Sequence, residues 1–134
     1  MERLTWTEDV HGTGVPELDA QHRRLFAAVN GLLDAVERGA TKPDLQRLLT
    51  CLTEHALCHF PCEERVMGQR NCSACTANAA AHREFEMDLA RFREQVDQQG
   101  PSADVVRTLQ TWLVTWIERH VVMVDTRLRE TVGA

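Results

Sequence analysis

Residues 43–67, PDLQRLLTCLTEHALCHFPCEERVM, decide the fold. Leu45, Leu48, Leu49, Leu52, His55 or Ala56, His59, Glu63, Val66 and Met67 recur at spacings of three and four, with adjacent doublets. That is the period of a helix with one buried face, not of a strand. Gly39 ends whatever precedes it, and Pro43 suits the first position of a helix. Pro61 is the one conflict. A mid-helix proline removes the hydrogen bond to the Leu57 carbonyl, which predicts a kink.

Working outward, the same reading applies three more times. Gly12, Gly14 and Pro16 mark an irregular start (1–18) that ends near Asp19, a plausible N-cap. Gly68 opens a short Asn-Cys-Ser turn, and Gly100-Pro101-Ser102 is a stop-and-restart signal. The segments so bounded are 19–38, 43–67, 76–98 and 102–131. The first carries His22, Leu25, Phe26, Val29, Leu32, Leu33 and Val36 in helical period, with Leu18 just before it. Asn78, His82, Phe85, Leu89, Phe92 and Val96 mark the third, and Val105, Leu109, Trp112, Leu113, Trp116, His120, Val124 and Leu128 the fourth. Four helices with short connections predict an all-α, up-down-up-down four-helix bundle occupying 1–134 as one domain.

Composition narrows the partners. The 134 residues carry 15 Lys+Arg against 20 Asp+Glu, a net charge of −5, which argues against nucleic acid or an anionic membrane surface. No stretch approaches a membrane span, and MERLTWTEDV has charges where a signal peptide is apolar, so a cytoplasmic location is expected. In a reducing cytosol Cys51, Cys58, Cys62, Cys72 and Cys75 are expected to be free, metal-binding or redox-active rather than a disulfide framework.

Histidines interrupt every apolar stripe, and their depths agree. In an up-down-up-down bundle the starts of the first and third helices share an end with the finishes of the second and fourth. His22, His82, His59 and His120 all fall within roughly 5–17 Å of that end, at 1.5 Å per residue. Any one of them alone would read as a hydrogen-bonded core histidine. Four in one layer would each need a buried partner, and a metal site is the economical account. His59 and Glu63, at i and i+4, stack on the inner face of their helix. Asp125 lies about 140° around the helix from His120, so spacing supports it only weakly. Imidazole with carboxylate suits iron or manganese, and zinc also fits.

At these residues the chain resembles the hemerythrins, and more closely their single-domain bacterial members, over nearly its whole length. The motifs are Thr13-Gly14-Val15 with Asp19-Ala20-Gln21-His22, then His59-Phe60-Pro61-Cys62-Glu63-Glu64 with Met67. His82-Arg83-Glu84-Phe85 and Trp116-Ile117-Glu118-Arg119-His120 with Asp125 complete the set. The resemblance implies an oxo- or hydroxo-bridged pair of Fe ions that binds O₂ or another small diatomic or peroxide ligand. It implies Glu63 and Asp125 as bridging carboxylates, His22 and His59 on one iron, and His82 and His120 on the other.

One position departs from that pattern. The family has a histidine four residues before the one matching His82, and here that residue is Asn78. An amide oxygen is a weak ligand, so the second iron is expected to bind more loosely, keep a water or be lost. An opened iron would favour peroxide chemistry or irreversible oxidation over reversible O₂ carriage. Cys75, one turn before Asn78, is a candidate replacement ligand. Cys58, Cys62, Cys72 and Cys75 are alternatively a zinc site or a reversible disulfide. Cys51, with Cys58 and Cys62, fits a packed stripe, and His11 a solvent-exposed position. The leading expectation is an O₂-binding protein for carriage, storage or sensing, not an enzyme. The alternatives are a di-iron peroxidase or oxidase, and a redox-regulated metal module.

Overall fold

The structure, a computed structural model, describes residues 3–131, apart from the side chains of Asp125 and Thr126. Its helices are α1 (Glu8–His11), α2 (Pro16–Glu37), α3 (Lys42–Gln69), α4 (Cys75–Gln99) and α5 (Ala103–Arg129). The four long helices are the expected bundle. Each packs on its sequence neighbours, α5 closes the ring onto α2, and α1 lies against α5.

Local chemistry accounts for the boundaries. Thr41 caps α3 in a reciprocal box, its Oγ1 accepting from Asp44 N while Asp44 Oδ2 accepts from Thr41 N. Pro43 therefore follows Lys42, one position later than expected. Ser102 Oγ accepts from Val105 N at the start of α5. Gly100, at φ 69°, takes the left-handed conformation that ends α4. Pro61 lies on the exposed face of α3, and the helix continues past it to Gln69.

The N-terminal expectations need correcting. Residues 8–11 form a helical turn, and α2 begins at Pro16, because proline is preorganised for the first helical turn. Asp19 is therefore not an N-cap. Its carboxylate lies in the first turn and reaches back to Thr13, accepting from the backbone N (2.8 Å) and from Oγ1 (2.7 Å). His11 is buried, not solvent-exposed. Its Nδ1 accepts from Thr7 N, which leaves Nε2 to donate to Glu118 Oε1 at 2.9 Å. The cysteine stripe does not pack as expected: Cys51 and Cys58 are exposed. Each directly precedes a core residue, Leu52 and His59, and so points about 100° away from the buried face.

The core is in two parts. The larger cluster includes Leu25, Phe26, Phe60, Phe85, Leu113 and Ile117, and the smaller includes Leu18, Val66, Met67, Val124 and Leu128. Every long helix passes from one cluster to the other across a buried polar residue: His22, Glu63, His82 or His120. A polar layer divides the apolar interior.

Candidate metal centre

Glu63 is at the middle of that layer, with no exposed surface. Its Oε2 lies 2.7 Å from His22 Nε2 and 2.9 Å from His59 Nε2. Its Oε1 lies 2.8 Å from His82 Nε2, 3.0 Å from His120 Nε2 and 2.8 Å from Asn78 Nδ2. The carboxylate thus joins one group of His22, His59 and Glu63 to a second of Glu63, His82 and His120. All five ligand-type side chains are buried.

Two outer partners set the imidazole tautomers. His59 Nδ1 lies 2.5 Å from Gln21 Oε1, and His82 Nδ1 lies 2.9 Å from Glu64 Oε2. Both partners are acceptors, because Gln21 Nε2 is itself directed at Cys62 Sγ at 3.5 Å. A neutral His59 or His82 therefore keeps its proton on Nδ1 and turns an Nε2 lone pair toward Glu63. Among the described residues His59 Nε2 has no hydrogen-bond partner despite its approach to the carboxylate. Aromatic rings fix the other faces. Phe60 stacks on His82 at 3.8 Å and 4°, and Trp116 on His120 at 4.4 Å and 18°.

Electrostatics show what the layer lacks. Burial pushes the Glu63 carboxyl up, but the imidazoles of His120, His22, His59 and His82 outweigh it and hold the group well below the usual carboxylate range. Burial pushes His59 and His120 down, more than Glu63 raises them. Glu63 thus faces two imidazoles, His59 and His120, held toward their neutral form, and the Nε2 lone pairs of His59 and His82 confront its oxygens at hydrogen-bond distance. Burying a charge this way is expensive without a cation. Donor atoms about 2.1 Å from one ion, at right angles, are about 3 Å apart, which matches the spacings around Glu63. The residues fit divalent metal, and imidazole with carboxylate fits iron.

The remaining candidates lie around this layer. Asn78 is fully buried, and its Nδ2 donates to Glu63 Oε1 and to Met67 Sδ at 3.0 Å, leaving Oδ1 without a partner among the described residues. The side chain of Asp125 lies outside the described residues. Cys75 Sγ is directed at the Glu64 carbonyl at 3.7 Å and belongs to neither group. All five cysteines are free, and among the described residues none joins a potential metal-binding group. His55 is half-buried and stacks on His59 at 5.9 Å, outside both groups. Between α4 and α5, Trp112, Trp116, His120 and Met123 line a cavity of about 580 Å³ that opens to solvent beside the second group. The orienting roles of Gln21 and Glu64 escaped sequence reasoning. The available signal was adjacency, since each is a polar residue directly beside a candidate ligand.

Fold and site together define a helical-bundle metalloprotein with a carboxylate shared between two histidine pairs. Comparison with known proteins agrees. Residues 13–129 match the family model of the hemerythrin HHE cation binding domain. The bacteriohemerythrin of Methylococcus capsulatus is 27% identical over 121 residues, covering 89% of this chain and 92% of that protein. A hemerythrin-like protein of Naegleria gruberi is 30% identical over 105 residues, 78% of this chain and 77% of its own. A crystal structure of wild-type hemerythrin superimposes with a TM-score of 0.73 at 26% identity, covering 94% of this chain and 98% of that one. The chain belongs to the hemerythrin family and is of the bacteriohemerythrin type. Its family is one of non-haem iron proteins that bind O₂ at a di-iron centre and are in general not enzymes.

Proposed function

We propose that this chain binds O₂ at a di-iron centre held by His22, His59 and Glu63 on one side and by Glu63, His82 and His120 on the other. In this reading Asp125 is the second bridging carboxylate, and Asn78 stands where the family has a histidine. The observation that carries it is the fully buried Glu63, each of whose oxygens faces two imidazole Nε2 atoms. Iron, when bound, supplies the redox chemistry by which O₂ is held and released. The chain's own residues do the rest. Gln21 and Glu64 hold the Nδ1 protons of His59 and His82, so that the inner nitrogens stay free to bind metal. Phe60 and Trp116 keep His82 and His120 from turning and exclude water from their ring faces. Trp112, Trp116 and Met123 wall the opening through which a small ligand reaches the second group. Five free cysteines support a cytoplasmic location.

One observation favours a second reading, a peroxidase or oxidase. The Asn78 amide is turned to donate to Glu63 and Met67, so the second group has two imidazoles where the family supplies three. A less saturated iron favours turnover over reversible binding. Metal content of the anaerobically purified protein, followed by its optical spectrum on adding O₂, degassing and adding peroxide, separates the readings. Two irons and a charge-transfer band that appears and disappears with O₂ support the carrier, and peroxide turnover supports the enzyme. Zinc without iron overturns both.

A further inference from the structure

The two groups around Glu63 differ in what stands behind them. His59 is backed by a neutral amide, Gln21 Oε1, and His82 by a carboxylate, Glu64 Oε2. The second group is also the poorer one. It lacks a third imidazole, and Asn78 Nδ2 donates to Glu63 Oε1, drawing electron density from the oxygen facing that group. His120 contributes no outer anchor among the described residues, where its Nδ1 has no hydrogen-bond partner. Glu64 is thus the one anionic partner behind either histidine of the second group, among the described residues. A carboxylate on Nδ1–H raises the basicity of the imidazole and strengthens Nε2 as a donor to metal. We propose that Glu64 is a positioning residue that compensates for Asn78, its charge strengthening His82 enough to keep the second metal position filled.

Several features suit Glu64 to this task. It directly follows Glu63 on α3, so the same turn of helix presents one carboxylate to the inner nitrogen of His82 and the next to its outer nitrogen. Phe60, one turn back, stacks flat on the same imidazole and limits its rotation. Arg83 approaches the other Glu64 oxygen only at 3.8 Å, which leaves Oε2 to His82.

This inference rests on the di-metal reading, and its test is built to separate the two. The probe is Co²⁺ alone, titrated anaerobically into the metal-free full-length chain against a chromogenic chelator, so that stoichiometry and both affinities are read without any O₂ activity. Glu64→Gln keeps a carbonyl oxygen for the Nδ1–H bond and removes only the charge, so a purely structural role would survive it. The expected result is one equivalent weakened about 10- to 100-fold, with the other unchanged. Asn78→His in the Glu64→Gln background restores the weakened equivalent, because a third imidazole makes the charge dispensable. Both equivalents unchanged in Glu64→Gln, both weakened together, or no rescue by Asn78→His would each overturn the proposal. Fewer than two Co²⁺ bound by the parent chain would instead defeat the di-metal reading itself.

Discussion

Replacing Glu63 with glutamine separates a metal-binding layer from a self-sufficient polar core. The carboxylate is fully buried, and its oxygens have four imidazole nitrogens at 2.7–3.0 Å. If those contacts held the fold without metal, removing the charge would break a buried ionic network and cost about 3–5 kcal/mol. A metal-binding layer reverses the sign. In the metal-free chain the Nε2 lone pairs of His59 and His82 face the Glu63 carboxylate, and a glutamine amide can donate to lone pairs that the carboxylate can only oppose. Metal-free Glu63→Gln should therefore melt no lower than the metal-free parent. The loss should appear on adding metal. A ligand at about a thousandfold excess over its Kd contributes about 4 kcal/mol, or roughly 15 °C in Tm for a chain of this size. Calorimetry of parent and variant, with and without anaerobic Fe²⁺, reads both effects. A metal-free variant destabilised by several kcal/mol that still gains the full rise with Fe²⁺ would refute the reasoning.

Three further predictions test other parts of the account. His11→Ala removes a buried imidazole bonded to Glu118 and packed on Phe26, and should cost about 1–3 kcal/mol in denaturant unfolding while leaving metal stoichiometry intact; a neutral variant would return His11 to the solvent-exposed role expected from sequence. Leu113 has no exposed surface and packs in the larger cluster, so Leu113→Ala should cost about 2–5 kcal/mol without changing the spectrum of the metal-loaded protein. Burial, together with His59 and Arg24, pushes His55 down to about 4. The folded chain then takes up that proton less readily than the unfolded one, with its ordinary value of about 6.5. The stability this confers, present above about pH 6.5, should be lost as pH falls toward 4, and His55→Gln should flatten the decline in the metal-free protein; an unchanged slope argues against it.

The bundle was legible because apolar period and helix-breaking residues agreed in all four segments, and the depths of His22, His59, His82 and His120 could be worked out from rise per residue alone. What escaped was whatever depended on direction rather than depth. Cys51 and Cys58 differ from core residues by a single position, and one position is a turn of about 100°. Asp19 looked like a cap because aspartate favours helix starts, but Pro16 began the helix earlier and left Asp19 to brace Thr13. His11 packs on Phe26 and bonds to Glu118, 107 residues away, contacts no local pattern encodes. Gln21 and Glu64 stood within the quoted motifs. Their roles as acceptors for His59 and His82 required the packed rings to be seen.

The central claim is that Glu63 joins two iron positions, one in each histidine group. The most direct measurement is a crystal structure of the iron-loaded protein with anomalous maps recorded on both sides of the iron edge. We predict two iron peaks per chain, one beside His22 and His59 and one beside His82 and His120, with a Glu63 oxygen on each. A single peak, or metal held by the cysteines with the Glu63 layer empty, would contradict the account.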